Sequence, residues 1–201
     1  MIYMNKIGRT PAPGWLEEKY KEWGKEWKKK YDETGKSSKF RWRQYKNKGY
    51  GDLVEKLSEM TKNHCSFCDA YPMGRRIPYT IEHFRPKTGF PLLAYKWDNL
   101  FPCCGLCQQK GDDFDEKLLK PDDDAYSFDE YFVINWDTGE LEPNKGKKIE
   151  NQVRAEITIK LYRLNENGKP EDRLAELEDF KELNNPDIDE HSYRFFIQRD
   201  S

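Results

Sequence analysis

Cys65, Cys68, Cys104 and Cys107 stand as two Cys-x-x-Cys pairs, and between them lie Glu82, His83 and Asn99. Four thiolates in two such knuckles are the donor set of a structural Zn²⁺, which is tetrahedral, has no d-electron preference and closes segments with little core of their own. The 35 residues between Cys68 and Cys104 exceed the usual zinc-ribbon gap, so the knuckles enclose something substantial. Glu82 is a hard oxygen donor suited to Mg²⁺ or Mn²⁺. His83 has an ordinary pKa near ~6.5, which leaves a neutral fraction at cellular pH to serve as general base. Arg85, Lys87 and Lys110 are cations able to hold phosphate oxygens. The Asn99 amide can bond backbone groups and so fix a loop around the His83 ring. The chemistry that needs such parts is phosphodiester hydrolysis, which requires a water nucleophile, a base, and charge stabilisation at the pentacovalent phosphate and leaving oxygen.

Two neighbours complicate the donor count. Cys103 either packs as a small apolar residue or competes with Cys104 for the metal. His64 precedes Cys65 and either replaces a thiolate or supports the site from outside it; four Cys already suffice.

The elements that must position these residues follow from periodicity. Met1 to Gly14, with Pro11 and Pro13, reads as an extended lead-in. Leu16, Tyr20, Trp23, Trp27 and Tyr31 recur at helical steps from Trp15, with Gly24 as a weak point, until Thr34–Ser38 breaks the pattern. Phe40-Arg41-Trp42-Arg43 reads as a short extended piece whose arginines either meet nucleic acid or stack on the aromatics. Tyr50 to Met60 is a second helix delivering the chain to the first knuckle. Ile77 to Phe84 alternates as a strand ending at Glu82 and His83, and Pro86 stops it. The chain returns through Leu92, Leu93 and Tyr95 to Trp97–Leu100, and the second knuckle opens a short helix after Pro102. Strand, loop, strand and helix around a Glu-His pair make a ββα arrangement. Residues 112–130 read as an acidic, solvated loop; carboxylates there lack the spacing of a calcium loop. A hairpin turns at Asp137-Thr138-Gly139. Ile149, Val153, Ile157, Leu161 and Leu164 mark a helix ended by Gly168 and Pro170, and Leu174, Leu177, Phe180 and Leu183 mark another. A short element with Tyr193, Phe195 and Phe196 closes the chain.

The fold class is therefore α+β, one composite domain in three parts: a basic helical segment over 1–62, the knuckle core over 63–120, and the acidic loop, hairpin and helices over 121–201. Hydrophobic and charged residues each make up 36%, and mean hydropathy is −1.08. The 14% of aromatic residues, six Trp included, set the chain apart from disordered ones. Residues 1–50 carry 14 Lys+Arg against 6 Asp+Glu, whereas 112–142 carry 12 acidic residues against 2 Lys. Such asymmetry points to a polyanion on the basic face, or to ordinary solvated helix surface. No signal peptide and no apolar run near 18 residues is read, so a cytoplasmic protein away from membranes is expected, where clustered Cys bind metal rather than pair as disulfides.

C-S-F-C, then E-H-F-R-P-K, W-D-N-L and C-G-L-C-Q-Q-K-G together resemble the HNH (ββα-metal) endonucleases. More narrowly they resemble the PtuB-like HNH proteins of Septu anti-phage defence and their retron-associated relatives. The likeness extends over residues 40–180, through L-L-K-P-D-D-D, F-V-I-N-W-D-T-G-E-L-E-P and I-T-I-K-L-Y-R-L-N. It implies that the four Cys hold structural Zn²⁺, that His83 is the general base, that Glu82 binds a catalytic Mg²⁺ or Mn²⁺, and that Asn99 is the middle Asn. The third HNH position is usually Asn or His and here is Gln108, so the ligand on that side is Gln108, Gln109 or water alone. The resemblance also implies a PtuA-like ATPase of the ABC/SMC class as partner, nucleic acid as substrate with DNA favoured over RNA, and, in retron systems, a reverse transcriptase and its RNA–DNA product. The competing reading is a zinc-stabilised nucleic-acid-binding or adaptor subunit whose HNH site has decayed at Gln108.

Overall fold

The computed structural model describes residues 6–75 and 77–200; the first five residues of the expected lead-in lie outside them. Helix α1, Gly14–Thr34, buries Leu16, Trp23 and Trp27 and stops where Gly35 adopts a left-handed conformation and its N–H bonds Tyr31 O. Trp23 and Trp27 are core residues, and Trp15, Tyr20 and Tyr31 pack half-buried against them. Gly24 has a packing reason: a Cβ there would lie 2.7 Å from the Leu92 carbonyl oxygen, so the helix can touch the 3₁₀ turn Pro91–Leu93 only without a side chain. Helix α2, Tyr50–Thr61, opens where the Asp52 carboxylate accepts the Gly49 N–H at 2.9 Å, and buries Leu53 and Leu57. These helices share one cluster with Ile81, Tyr95, Trp97 and Leu100.

Strand β1, Tyr79–His83, pairs antiparallel with β2, Leu100–Cys104, in the register Tyr79↔Cys104 to His83↔Leu100. The second strand is longer than expected. Pro102 and Cys103 lie within it, and the Pro102 carbonyl accepts the Ser66 N–H at 2.9 Å, tying the first knuckle to the hairpin. In a two-stranded sheet a proline's missing N–H can face away from the partner strand. The short helix expected after Pro102 is instead a four-residue 3₁₀ turn, Cys107–Lys110.

The acidic segment is not merely solvated. Leu118, Leu119 and Tyr126 are buried in the second cluster, and Asp122 pairs with Arg9, which also donates to Trp97 O at 2.7 Å. Helix α3, Phe128–Tyr131, runs into β3, Phe132–Ile134, which pairs with β4, Leu141–Pro143. Between them Gly139 has φ +76°, and a Cβ would strike the Pro170 carbonyl. Helix α4 is Ile149–Leu161 and α5 is Lys169–Glu182. Pro170 opens α5 rather than ending α4, since the first turn has no use for its missing N–H. Helix α6, Arg194–Ile197, packs Phe195 and Phe196 into the cluster that also holds the cysteines. No helix among the described residues is long and apolar enough to cross a membrane.

Candidate active site and metal centre

The Sγ atoms of Cys65, Cys68, Cys104 and Cys107 are buried and lie within 4.8 Å of one another, so the group could hold a metal ion. Cys68 and Cys104 sulfurs are 3.7 Å apart. A tetrahedron with metal–sulfur bonds of ~2.3 Å has edges of about 3.8 Å, so the donor set and spacing suit structural zinc. The N–H groups of Cys104 and Cys107 donate to Cys65 Sγ at 3.3 Å and Cys104 Sγ at 3.4 Å, as thiolate acceptors favour. Contact with Cys104, Cys107 and Cys65, together with burial, pushes the Cys68 thiol well up. A cation is what allows four sulfurs this close to ionise together. Cys103 is buried beside the group but is not one of the four, and its sulfur faces the Cys104 carbonyl. His64 is buried, with Nδ1 against Lys62 O at 2.7 Å and Nε2 against His191 O at 3.0 Å. Both ring nitrogens face backbone carbonyls, and neither belongs to the group of four sulfurs.

At the far end of the hairpin, Glu82 and His83 alternate to opposite sides of β1. His83 Nε2 lies 2.9 Å from Ala94 O. A carbonyl only accepts, so Nε2 carries the proton and Nδ1 the lone pair. The ring stacks on Trp42 at 5.5 Å and 10°, and meets the edge of Phe40 at 5.3 Å. It is 7% exposed. Burial, reinforced by the Lys87 charge, holds its pKa down to about 3. The cover comes from the Phe40–Trp42 segment, which forms no strand. Its alternating Arg and aromatic residues were the available signal, but nothing in them pointed to His83.

Asn99 is buried and binds the loop on three sides. Its Oδ1 accepts the Arg85 N–H at 2.8 Å, and its Nδ2 donates to Arg85 O at 3.0 Å and Leu93 O at 3.1 Å. The loop so held carries Ala94, the partner of His83.

Glu82 is 1% exposed. Its Oε1 lies 2.8 Å from Lys110 Nζ, meeting it as an ion pair rather than through an aligned hydrogen bond, and its Oε2 accepts from Gln108 Nε2 at 2.6 Å. Burial raises its pKa against the pull of Lys110. Gln109 is turned away, its Oε1 accepting from Arg163 at 2.7 Å. The residues expected to hold a catalytic Mg²⁺ or Mn²⁺ therefore bond each other and do not fit that ion in this arrangement. Nor is Lys110 a surface cation: it is 3% exposed, because its partner is the buried Glu82. Arg85 lies partly exposed, chelated by Glu116 at 2.8 and 2.6 Å and stacked over Phe90 and Phe114. Lys87 is half-buried, with Nζ 5.5 Å from the Phe40 ring. Beside Asn99 an open cleft of about 300 Å³ is lined by Arg85, Lys96, Lys120 and Arg154 together with Asp98, Glu116 and Asp123, and Asp98 pairs with Lys96 at 2.7 Å. His83 does not line it.

A stretch of 61 residues, 30% of this chain, is 36% identical to the Septu protein PtuB of Bacillus thuringiensis. That stretch spans about a quarter (24%) of the curated relative's own length. No family model matches the chain. The similarity suggests a Septu-related family.

Proposed function

We propose that the chain is the HNH-type nuclease subunit of a Septu-like anti-phage defence complex, hydrolysing nucleic-acid phosphodiesters, DNA in preference, alongside an ATPase partner. The observation that carries this reading is His83: a histidine at a hairpin end, its tautomer set by a backbone carbonyl, with Nδ1 left as base. On this reading the hairpin, the 3₁₀ turn after it and the zinc-suited cysteines would stand for a shortened ββα-metal unit. The PtuB similarity supports the defence role and a PtuA-type partner.

In the proposed reaction Nδ1 takes a proton from water as its oxygen adds to phosphorus, the P–O bond to the leaving oxygen breaks, and that oxygen takes its proton from solvent. Asn99 holds the loop that orients the ring. The Trp42 and Phe40 rings cover His83, so the segment must move for substrate to arrive, and leaving the apolar cover also raises the imidazole toward its ordinary basicity. Substrate or the ATPase would supply that movement. Arg85 and the cations of the neighbouring cleft would meet the phosphate backbone.

The test is cleavage by the chain assembled with a PtuA-type ATPase, wild type against His83→Ala, with zinc content and circular dichroism matched. Loss of about 10²–10⁴-fold in rate is expected for removal of a general base. Equal cleavage by both proteins sinks the reading. A second reading, a zinc-stabilised nucleic-acid adaptor, is favoured by the burial of His83 and the neutralised Glu82; it predicts salt-sensitive binding without turnover. Sequencing the nucleic-acid ends produced in cells separates DNA from RNA as substrate.

A further inference from the structure

The 3₁₀ turn that follows the second knuckle carries a cation inward. Residues three apart eclipse in such a turn, so Lys110 shares the face of Cys107, and that face is buried. Lys110 Nζ lies 2.8 Å from Glu82 Oε1, 2.9 Å from Asp113 O and 3.5 Å from Gly111 O. Two backbone carbonyls thus accept from the ammonium while the Glu82 carboxylate balances its charge. On the other carboxylate oxygen Gln108 Nε2 donates at 2.6 Å. The reverse amide orientation would set two oxygens against each other, so Gln108 offers Glu82 its donor and has no carbonyl to give an ion there.

A divalent ion on Glu82 would lie ~2.1 Å from a carboxylate oxygen, hard against the ammonium. Two cations that close in a buried site repel strongly. We propose that Lys110 is the built-in cation of this hairpin: its ammonium balances Glu82 in the place a divalent ion would take, so the wild-type chain binds no Mg²⁺ or Mn²⁺ at Glu82, and removing Lys110 creates such a site. Lys110 then acts through Glu82, as the cation that balances its carboxylate. The inference rests on the nuclease reading only in choosing Glu82 as the place where an ion is expected.

The experiment is Mn²⁺ binding, not cleavage, so its failure and that of the His83→Ala assay are distinguishable. Zinc-loaded full-length protein is titrated with Mn²⁺ and free ion is read by electron paramagnetic resonance. Wild type is expected to take up no stoichiometric Mn²⁺, Lys110→Ala to gain one ion per chain, and the double variant Glu82→Gln/Lys110→Ala to lose it again. Stoichiometric binding by wild type that Glu82→Gln abolishes overturns the proposal, as does a folded Lys110→Ala that gains no ion. Because Lys110→Ala leaves a buried carboxylate unpaired and can unfold, a second measurement uses wild type alone. A sequestered lysine gives a resolved ¹⁵Nζ resonance, assigned by its loss in Lys110→Arg. Survival of that signal at one equivalent of Mn²⁺ supports the proposal, and its selective bleaching overturns it.

Discussion

His83 shows how much a single side chain's setting decides. Its pKa of about 3 means that the folded chain favours neutral imidazole. As pH falls below ~6.5 the unfolded chain takes up a proton that the folded chain refuses, so stability falls continuously down to the folded value. Between pH 7 and pH 5 the loss should be about 2 kcal/mol. Urea midpoints across that range check it, and His83→Gln, which keeps a donor for Ala94 O, should flatten that part of the profile. The cysteines make the complementary case. Cys104→Ser should reduce bound zinc from one per chain toward none and unfold the knuckle core, whereas Cys103→Ser should keep the metal, as total zinc after gel filtration will show. The opposite result would shift the second knuckle by one residue. At this scale the sequence was informative about donors and silent about their partners. Cys-x-x-Cys spacing identified four sulfurs, but that Lys110 faces Glu82, or that an Ala94 carbonyl sets the tautomer of His83, depends on backbone placement that no residue type announces.

Elements are held by contacts that run against local propensity. Gly24 lies mid-helix in α1, where Ala would be favoured by about 1 kcal/mol. Gly24→Ala should nonetheless destabilise, by about 1–3 kcal/mol, because the methyl would meet the Leu92 carbonyl at 2.7 Å and drive α1 from the loop that holds Ala94. Thermal or chemical denaturation measures the sign. Helix α6 is too short to stand alone and is fastened by Arg194, whose Nη2 lies 2.7 Å from Asp69 Oδ1 and whose N–H donates to Asp69 Oδ2 at 2.8 Å. Breaking a buried pair leaves the remaining charge unpaired, so Asp69→Ala should cost about 3–5 kcal/mol in denaturant titrations. Periodicity exposed α1, α2, α4 and α5 because their apolar stripes repeat over several turns. It misplaced the second strand, since Pro102 reads as a breaker unless one knows that its strand has a single partner. It could not anticipate that the Phe40–Trp42 segment lies over His83, a contact between residues some 40 positions apart.

Across the whole molecule, two clusters meet at the β1–β2 hairpin. One holds α1, α2 and Trp97; the other holds the cysteines, α4, α5 and α6. The charge asymmetry visible in composition is spent partly inside the fold, as with Arg9 and Asp122, and only the remainder is available to partners. The pairing Tyr79↔Cys104 at one end and His83↔Leu100 at the other also bears on how such a protein drifts over generations. A lineage that discards His83 loses the ring that Trp42 and Phe40 pack on but keeps the strand pairing and the knuckles that hold the hairpin. No lineage can discard Cys104 and keep the setting of His83, because the two stand on the paired strands of one hairpin, which the knuckle anchors at its other end. Loss of chemistry is thus the open road and loss of zinc the closed one, so inactive descendants should be found with four cysteines far more often than active ones with three.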